Sequence, residues 1–374
     1  MINEIVAKSI LRKQKCVDSW FISSCGMNLY RGCTHNCSYC DGRAEKYNIT
    51  NEFGHNVDVK INAIELLDKE LNPTNKRVPL RKGFVLLGGG VCDAYQPIEK
   101  KYFLSGKTLE LIEKYKYPVH ILTKSTLVLR DLEIISKINK QSKAIISFSF
   151  SSCNDIVSKI FEPGVPSPSE RLDAIKKIKE QGINCGMFLM PVIPYITDTD
   201  EFLEESISKA RNAGIDFIIF GGMTLKEGKQ KQHFINTLSE FKPSLIKTYQ
   251  EIYPPSKWGN ANNEYYCGIN KKFFSLVKKY HIPVRIPFHV YSGLLGMNDK
   301  IIVMLEHLNY IQQLKGEDSF FGLAARSISE LKTPVSEIKN NLTSLKGIGN
   351  LTEKIICEII ETGHSKYFHD KMNI

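Results

Sequence analysis

The sequence lacks a long apolar run, and it has no excess of glycine or proline. Its 374 residues include 25 Gly and 15 Pro, too few for a collagen-like or largely disordered chain. No stretch approaches the roughly 18 apolar residues that a membrane span requires. Residues 1–15 carry scattered charges and no apolar signal-peptide core. We therefore expect a soluble, cytoplasmic protein that contacts no membrane.

Positive charge is in modest excess. Lys and Arg number 50 against 40 Asp and Glu, which gives a formal net charge of +10. This excess permits a polyanionic partner without requiring one. It lies in the first 300 residues, because residues 301–374 contain eight basic and nine acidic side chains.

Ten cysteines are present, and three of them are closely spaced. Without an export signal, disulfides are not expected, and a cysteine that stands alone is typically a small buried apolar residue. Cys33, Cys37 and Cys40 form Cys-x3-Cys-x2-Cys. Thiolates bind zinc or the iron of iron–sulfur clusters. A closed zinc site needs a fourth ligand, for which His35 or His55 is the candidate. On a four-iron cluster, three thiolates leave one iron open to a substrate or cofactor.

Short apolar runs alternate with amphipathic segments between about residues 29 and 220. The predicted strands are residues 27–31, 84–88, 119–123, 144–150, 183–190 and 215–220. The predicted helices are residues 62–71, 106–116, 131–139, 168–181 and 200–213. The alternation predicts a parallel sheet, either an incomplete (β/α) barrel or a doubly wound sheet, with ligands at the carboxyl ends of its strands.

Three domains are predicted from the change in pattern along the chain. Residues 1–225 form the β/α core. Residues 226–300 are mixed in character and cover the core or lead out of it. Residues 301–374 read as wholly helical, which indicates a separate small all-α module.

The three-cysteine motif, with Tyr39 before its last cysteine and a strand before its first, resembles the signature of radical S-adenosylmethionine (SAM) enzymes. The resemblance implies an α/β fold with a partial (β/α)6 TIM-type barrel. It also implies that Cys33, Cys37 and Cys40 bind a [4Fe-4S] cluster whose open iron holds S-adenosylmethionine. Reductive cleavage of S-adenosylmethionine then gives a 5′-deoxyadenosyl radical. An electron donor such as flavodoxin or ferredoxin is implied as a partner.

Further segments resemble the spore photoproduct lyase-like branch of that superfamily. They are residues 30–33, 93–99, 122–125, 130–132, 162–163, 168–171 and 190–194. The resemblance implies lyase-like DNA lesion repair or base modification. It places Tyr39 beside the cluster. It implies that S-adenosylmethionine is bound by Gly89, Gly90, Lys124, Ser125 and Ser149.

The sequence departs from that branch at the hydrogen-donating cysteine. The position three residues before Asp93, where the branch has this cysteine, is Gly90, and the nearest cysteine is Cys92. Because a thiol is a good hydrogen-atom donor, Cys92 is one candidate catalytic residue. Cys267, which follows two tyrosines, is the second.

Residues 345–356 resemble a helix-hairpin-helix motif, and residues 308–371 are similar to the small N-terminal domain of family X DNA polymerases. The resemblance implies nucleic-acid contacts through backbone N–H groups and a few side chains. The candidate residues are Lys346, Gly347, Gly349, Asn350 and Lys354. A helical cap on the barrel and a protein–protein module remain the alternatives.

The leading hypothesis is a radical SAM enzyme that acts on a nucleic acid, with DNA favoured over RNA. One alternative is a radical SAM enzyme that modifies a peptide or small metabolite and uses the helical tail for assembly. Another is an iron–sulfur protein that binds nucleic acid without turning over S-adenosylmethionine.

Overall fold

The computed structural model describes residues 1–47, 53–75, 78–89 and 91–373, and within them ten strands form two sheets. The strands are β1 (Ile2–Ile5), β2 (Leu11–Asp18), β3 (Ser23–Met27), β4 (Tyr30–Arg31), β5 (Val57–Lys60), β6 (Phe84–Leu87), β7 (Val119–Thr123), β8 (Ala144–Phe150), β9 (Asn184–Val192) and β10 (Phe217–Gly222).

The larger sheet has seven strands in the order β10-β9-β8-β7-β6-β3-β2. From β3 to β10 its strands follow chain order and are parallel, and β2 pairs antiparallel with β3 at the edge. A doubly wound sheet reverses its strand order at a switch point, and this order never reverses. The sheet instead curls into a half-barrel, which confirms the predicted α/β partial barrel.

The two faces of the sheet bury alternate side chains, because successive residues of a strand point to opposite sides. On β9, Phe188 packs with Phe217 and Ile219 of β10 in one apolar cluster. Met187 and Leu189 pack in a different cluster, together with the surrounding helices. Ile286 and Val303 join the first cluster, so residues after β10 help to fill the inner face of the half-barrel.

Fifteen helices occur in the described residues. They are α1 (Ala63–Leu71), α2 (Glu99–Tyr102), α3 (Leu104–Lys114), α4 (Leu132–Gln141), α5 (Asp155–Phe161), α6 (Pro168–Glu180), α7 (Asp200–Asn212), α8 (Lys229–Phe241), α9 (Ile246–Ile252), α10 (Asn263–Lys279), α11 (Phe288–Tyr291), α12 (Met297–Lys315), α13 (Phe321–Ser329), α14 (Asn350–Thr362) and α15 (Lys366–Met372). None of them, over the ranges that the structure describes, has the length and apolarity to cross a membrane.

Helix α6 shows how local sequence sets an element boundary. Ser167 precedes the helix, and its hydroxyl accepts a hydrogen bond from the Glu170 N–H at 3.2 Å. The Glu170 carboxylate accepts one from the Ser167 N–H at 2.7 Å in return. This capping box, with Pro168 in the first turn, fixes the start of the helix at the predicted residue.

The strand predicted at residues 27–31 is wrong in its bounds. The chain forms β3 over Ser23–Met27 and leaves the large sheet, so that Tyr30 and Arg31 pair with β5 in a separate sheet of order β1-β5-β4. The sequence of β3, Ser-Ser-Cys-Gly-Met, does not have the branched apolar residues typical of a strand. All five of its residues are nevertheless buried, because β2 and β6 flank it.

The C-terminal helices share an apolar cluster of their own. Ile302 and Leu305 of α12 pack there with residues of α13, α14 and α15, among them Ala324, Ile356 and Phe368. Helix α12 also contacts β2 and α10, so it belongs to both packing environments. The predicted boundaries after residues 225 and 300 remain a prediction.

Candidate active site

A loop after β4 carries the three clustered cysteines over the carboxyl edge of the large sheet. Backbone contacts hold this loop, because the Ser38 N–H donates to the Phe161 carbonyl at 2.8 Å and the Gly164 N–H donates to the His35 carbonyl at 3.0 Å. Cys33 and Cys37 are buried and Cys40 is half-buried. All three line a cavity of about 100 Å³.

The cavity also collects predicted residues from three strand ends. Gly89 and Cys92 follow β6, Lys124 follows β7, and Ser149 lies in β8. This is the arrangement expected where parallel strands end side by side. The remaining lining residues are His35, Val91, Asp93, Leu122 and Thr123.

Burial raises the pKa of Cys37 to about 12, raises that of Cys33 well above its usual range, and raises that of Cys40 as well. In the described ranges, no three His, Cys, Asp or Glu side chains converge closely enough to share a single metal ion. Three thiols that line one cavity fit a multinuclear cluster, in which each thiolate binds a different iron and loses its proton on binding.

Asp93 ties the cysteine loop to two strand ends. Its Oδ1 accepts hydrogen bonds from the Thr123 hydroxyl at 2.7 Å and the Tyr95 N–H at 2.8 Å, and its Oδ2 accepts one from the Lys124 N–H at 2.6 Å. His35 Nε2 lies 3.2 Å from Oδ2, off the direction of a regular hydrogen bond. Burial alone would raise the pKa of Asp93, but His35 and these donors outweigh it and lower that pKa.

A buried ionic network underlies the cavity. The Lys124 ammonium donates to Glu162 Oε1 at 2.9 Å, to Tyr39 Oη at 3.0 Å and to Ser149 Oγ at 3.0 Å. Arg171 donates to Glu162 Oε2 at 2.7 Å, and the Tyr39 hydroxyl also donates to Glu162. Burial would raise the pKa of Glu162, yet Lys124 and Arg171 hold it far below its usual range.

This network carries one uncompensated positive charge. Two cations share one carboxylate, and Lys124 is the member that reaches the cavity, with 15% of its side chain exposed. A surplus cation in a largely buried site attracts an anionic group of a ligand more strongly than the same cation would in water.

Glu162, Arg171 and Asp93 were not predicted as site residues, and His35 was considered only as a fourth ligand of a zinc site. Their partners are remote in sequence, since Lys124 precedes Glu162 by 38 residues and His35 precedes Asp93 by 58. A Glu-Pro dipeptide after an amphipathic segment is the only local signal for Glu162. A buried charge without a partner is costly, so buried charged residues must find partners. Which residues pair is evident only in the folded structure.

The structure separates the two candidate catalytic thiols. Cys92 lines the cavity, its thiol lies 3.5 Å from Gln96 Nε2, and burial raises its pKa to about 12. Cys267 is exposed on α10 and does not line this cavity. A catalytic role for either thiol remains a prediction.

Ser125 and Gly90 are the two remaining predicted S-adenosylmethionine ligands. Ser125 caps the turn that follows β7, because its hydroxyl accepts from the Leu127 N–H at 3.2 Å. Gly90 lies outside the described residues. Gly88, just before Gly89, has a φ of +83°, and a Cβ there would lie 2.5 Å from the Leu122 carbonyl oxygen. The chain therefore needs glycine to turn this tightly beside β7.

The predicted hairpin residues lie in the turn before α14 and in the first turns of that helix. A 3₁₀ segment, Val335–Ser344, precedes the turn, and Ile348 is buried in the C-terminal cluster. Lys346, Gly349, Asn350 and Lys354 are exposed, and Gly347 is half-buried. Four of the five residues are therefore accessible to a partner, and their contact with nucleic acid remains a prediction.

Comparison with known proteins gives one family match. Residues 27–207 match the sequence model of the Radical SAM superfamily. An uncharacterised protein of Mycobacterium tuberculosis is 31% identical over 240 residues, which cover 62% of this chain and 69% of that protein. An uncharacterised protein of Methanocaldococcus jannaschii is 32% identical over 211 residues, 56% of this chain and 74% of that protein.

Among solved structures, spore photoproduct lyase complexed with dinucleoside spore photoproduct is similar, with a TM-score of 0.57 and 17% identity over 75% of this chain and 79% of that one. A variant of that lyase with bound AdoMet and dinucleoside spore photoproduct gives a TM-score of 0.56 at 17% identity over the same shares of the two chains. At this identity the likeness shows the fold.

Proposed function

This chain belongs to the radical SAM superfamily, and on that premise we propose that it is an iron–sulfur enzyme that uses S-adenosylmethionine to act on a nucleic acid. The observation that carries the proposal is that Cys33, Cys37 and Cys40 line one cavity together with Lys124 and Ser149 at the carboxyl end of the half-barrel. When bound there, the cluster and S-adenosylmethionine supply reductive cleavage of the sulfonium to a 5′-deoxyadenosyl radical.

The three thiols would hold a [4Fe-4S] cluster. Each thiol must lose its proton on binding, and the raised pKa values of Cys33 and Cys37 mean that this proton loss occurs together with cluster binding rather than before it. Electrons would come from a donor such as flavodoxin or ferredoxin.

Lys124 would orient S-adenosylmethionine through its carboxylate. Glu162 and Arg171 fix the position of the ammonium, and the network's surplus positive charge is free to pair with that anion. Ser149 holds the ammonium from the other side, while its own hydroxyl donates to the Met190 carbonyl at 3.1 Å. Gly89 would offer backbone groups at the same cavity.

A nucleic-acid target is supported from both parts of the chain. The half-barrel resembles that of spore photoproduct lyase, a protein solved with a dinucleoside photoproduct. Lys346 in the turn before α14 is exposed, as are Asn350 and Lys354 in the first turns of that helix. DNA lesion repair is the finer form of the proposal. A damaged base must leave the stack to reach the cavity, at a cost of a few kcal/mol that damage itself reduces.

Cys92 would return a hydrogen atom to the substrate. With a pKa of about 12 its thiol keeps its S–H at neutral pH, and only that form can donate a hydrogen atom. Donation to a carbon radical of the substrate forms a C–H bond and leaves a thiyl radical on Sγ, which a second hydrogen donor must then reduce.

The test is an anaerobic assay of the reconstituted protein with S-adenosylmethionine and dithionite. We expect 5′-deoxyadenosine to form, and to form faster with ultraviolet-irradiated DNA than with undamaged DNA. If 5′-deoxyadenosine formation does not respond to any nucleic acid but rises with peptide, the target is a peptide and the enzyme class stands. No formation by protein with a full cluster would refute the enzymatic proposal.

A further inference from the structure

A fourth cysteine, Cys92, lines the same cavity as Cys33, Cys37 and Cys40. The cavity has a volume of only about 100 Å³, so its four thiols share one confined space. The other six cysteines of the chain do not line it. A four-iron cluster has four irons to be bound, and the three-cysteine loop supplies a thiolate to only three of them.

Gln96 holds Cys92 against the cysteine loop. Its side chain is fully buried. Its Nε2 donates hydrogen bonds to the Gly32 carbonyl at 3.1 Å and to Cys92 Sγ at 3.5 Å. Its Oε1 accepts a hydrogen bond from the Thr34 N–H at 2.9 Å. Because Gly32 and Thr34 flank Cys33, this one carboxamide fixes the Cys92 thiol beside the first cysteine of the loop.

The electrostatic coupling of the thiols agrees with this placement. Burial is the main cause of the raised pKa of Cys33, and Cys92 is the next largest cause. Burial raises the pKa of Cys92 to about 12, and Asp93 and Cys40 also act to raise it. Coulombic effects fall with distance, so Cys92 lies near both the first and the last cysteine of the loop.

Two other metal-binding side chains line the cavity, and both are engaged with the protein. The carboxylate oxygens of Asp93 accept three hydrogen bonds between them. His35 Nδ1 lies 3.0 Å from the Gly164 carbonyl oxygen, and its Nε2 lies 3.2 Å from Asp93 Oδ2. The Cys92 thiol makes only long contacts, at 3.5 Å to Gln96 Nε2 and at 3.8 Å to the Asp93 carbonyl oxygen. Because cluster iron favours thiolate ligands, Cys92 is the most available further ligand in this cavity.

We propose that Cys92 is a fourth ligand of the cluster and binds the open iron until S-adenosylmethionine replaces it. The inference rests on the iron–sulfur enzyme proposed above and adds a ligand that the three-cysteine motif does not supply. In the exchange, the bond between iron and Cys92 Sγ breaks, a bond between iron and S-adenosylmethionine forms, and the thiolate takes up one proton from water. No electron moves. Binding of S-adenosylmethionine thereby produces the S–H group that returns a hydrogen atom to the substrate.

A thiolate on the open iron has two measurable consequences. It retains that iron under oxidation, which otherwise converts a four-iron cluster into a three-iron cluster. It also competes with S-adenosylmethionine, because the apparent Kd equals the intrinsic Kd divided by the fraction of protein whose iron is free. Both effects are read from the cluster itself and do not depend on turnover.

The experiment compares the full-length, anaerobically reconstituted wild type with Cys92→Ala, Cys92→Ser, His35→Asn and Cys153→Ala. Cys153 is the matched control, because it is fully buried, its pKa is likewise raised by burial to about 12, and it lies outside the cavity. Each protein is treated with ferricyanide, and the paramagnetic resonance signal of the three-iron cluster is followed with time. The Kd of S-adenosylmethionine is measured from the change that it causes in the spectrum of the reduced cluster.

We expect the three-iron signal to form slowly in the wild type and Cys153→Ala, and about tenfold faster in Cys92→Ala and Cys92→Ser. The Kd of S-adenosylmethionine should fall about tenfold in Cys92→Ala. Both factors follow if Cys92 occupies the iron in about nine molecules of ten. With saturating S-adenosylmethionine, the wild type and the Cys92 variants should convert at the same slow rate.

Three results would overturn the inference. Equal conversion rates in the wild type and both Cys92 variants reject Cys92 as a ligand and leave the proposed function intact, because the cluster is still bound. Protection that is lost in His35→Asn but kept in Cys92→Ala assigns the fourth ligand to His35. A wild-type protein that takes up no four-iron cluster rejects the iron–sulfur enzyme itself.

Discussion

Replacing Glu162 by Gln tests the ionic network beneath the cysteine cavity. Glutamine keeps the shape of the side chain but leaves the Lys124 and Arg171 cations, 2.9 and 2.7 Å away, without their shared anion. Removing one partner of a buried ion pair costs about 3–5 kcal/mol. Because Lys124 is 15% exposed and can reach water, we expect E162Q to lower the free energy of unfolding by about 3 kcal/mol, the low end of that range.

The same variant has a defined pH signature. The network lowers the folded-state pKa of Glu162 below its ordinary value of 4.5. A group with a depressed folded pKa stabilises the protein fully above its unfolded pKa, and this contribution is lost as the pH falls toward the folded value. The stability difference between wild type and E162Q should therefore be constant near neutral pH and shrink below about pH 4.5.

Urea unfolding followed by circular dichroism, under anaerobic conditions and without added cluster, measures this difference. Glu133→Gln is the matched control, because Glu133 pairs with Lys137 on the surface of α4 with 85% of its side chain exposed, where ion pairs contribute little. A Lys124→Met, Glu162→Gln double variant should be less destabilised than the sum of the single variants. An E162Q protein as stable as wild type, or a difference unchanged down to pH 3, would refute the network.

Three further predictions concern other parts of the fold. Cys92→Ala should still form 5′-deoxyadenosine but yield altered products from irradiated DNA, seen by mass spectrometry; unaltered products would exclude Cys92 as the hydrogen donor. Burial lowers the pKa of His120 to about 4. Its neutral form stabilises the fold above pH 6.5, and this contribution is lost as the pH falls from about 6.5 to 4. His120→Gln should therefore flatten the acid side of a plot of thermal midpoint against pH. Gly347→Ala should destabilise the C-terminal helices by more than about 1 kcal/mol, because φ is +82° and the added Cβ meets Ala324; unchanged hydrogen-exchange protection there would contradict this.

Much of the half-barrel was predictable because its strands are short and rich in apolar residues, many of them β-branched. Residues 119–123 and 144–150 were predicted with the bounds that the structure has, and the runs near residues 84, 183 and 215 with shifts of one to two residues. Strand β3 and the β1-β5-β4 sheet escaped prediction. The residues of β3 are mostly polar or small, and the strands of the other sheet are only two to four residues long, so pairing with distant strands makes them extended.

The candidate site was predictable where chemistry follows chain spacing. The spacing of Cys33, Cys37 and Cys40 predicts a shared site, and the place of Lys124 and Ser149 at strand ends predicts that they lie near it. Glu162 and Arg171 could not be predicted in this way. Their charges are explained by hydrogen bonds that link Lys124 and Arg171 to Glu162 across different elements of the fold. The sequence favoured Cys92 by its position beside Asp93, but only folding shows that Cys92 lines the cavity and that Cys267 lies on an exposed helix face.

The most direct test of the central claim compares iron content and 5′-deoxyadenosine formation in the wild type, Cys37→Ala and Cys16→Ala. Cys16 is half-buried in β2 and outside the cavity, so its variant controls for loss of any thiol. We predict about four irons per chain and 5′-deoxyadenosine from the wild type and Cys16→Ala, with both lost in Cys37→Ala. A Cys37→Ala protein that keeps its iron and still cleaves S-adenosylmethionine would contradict the account.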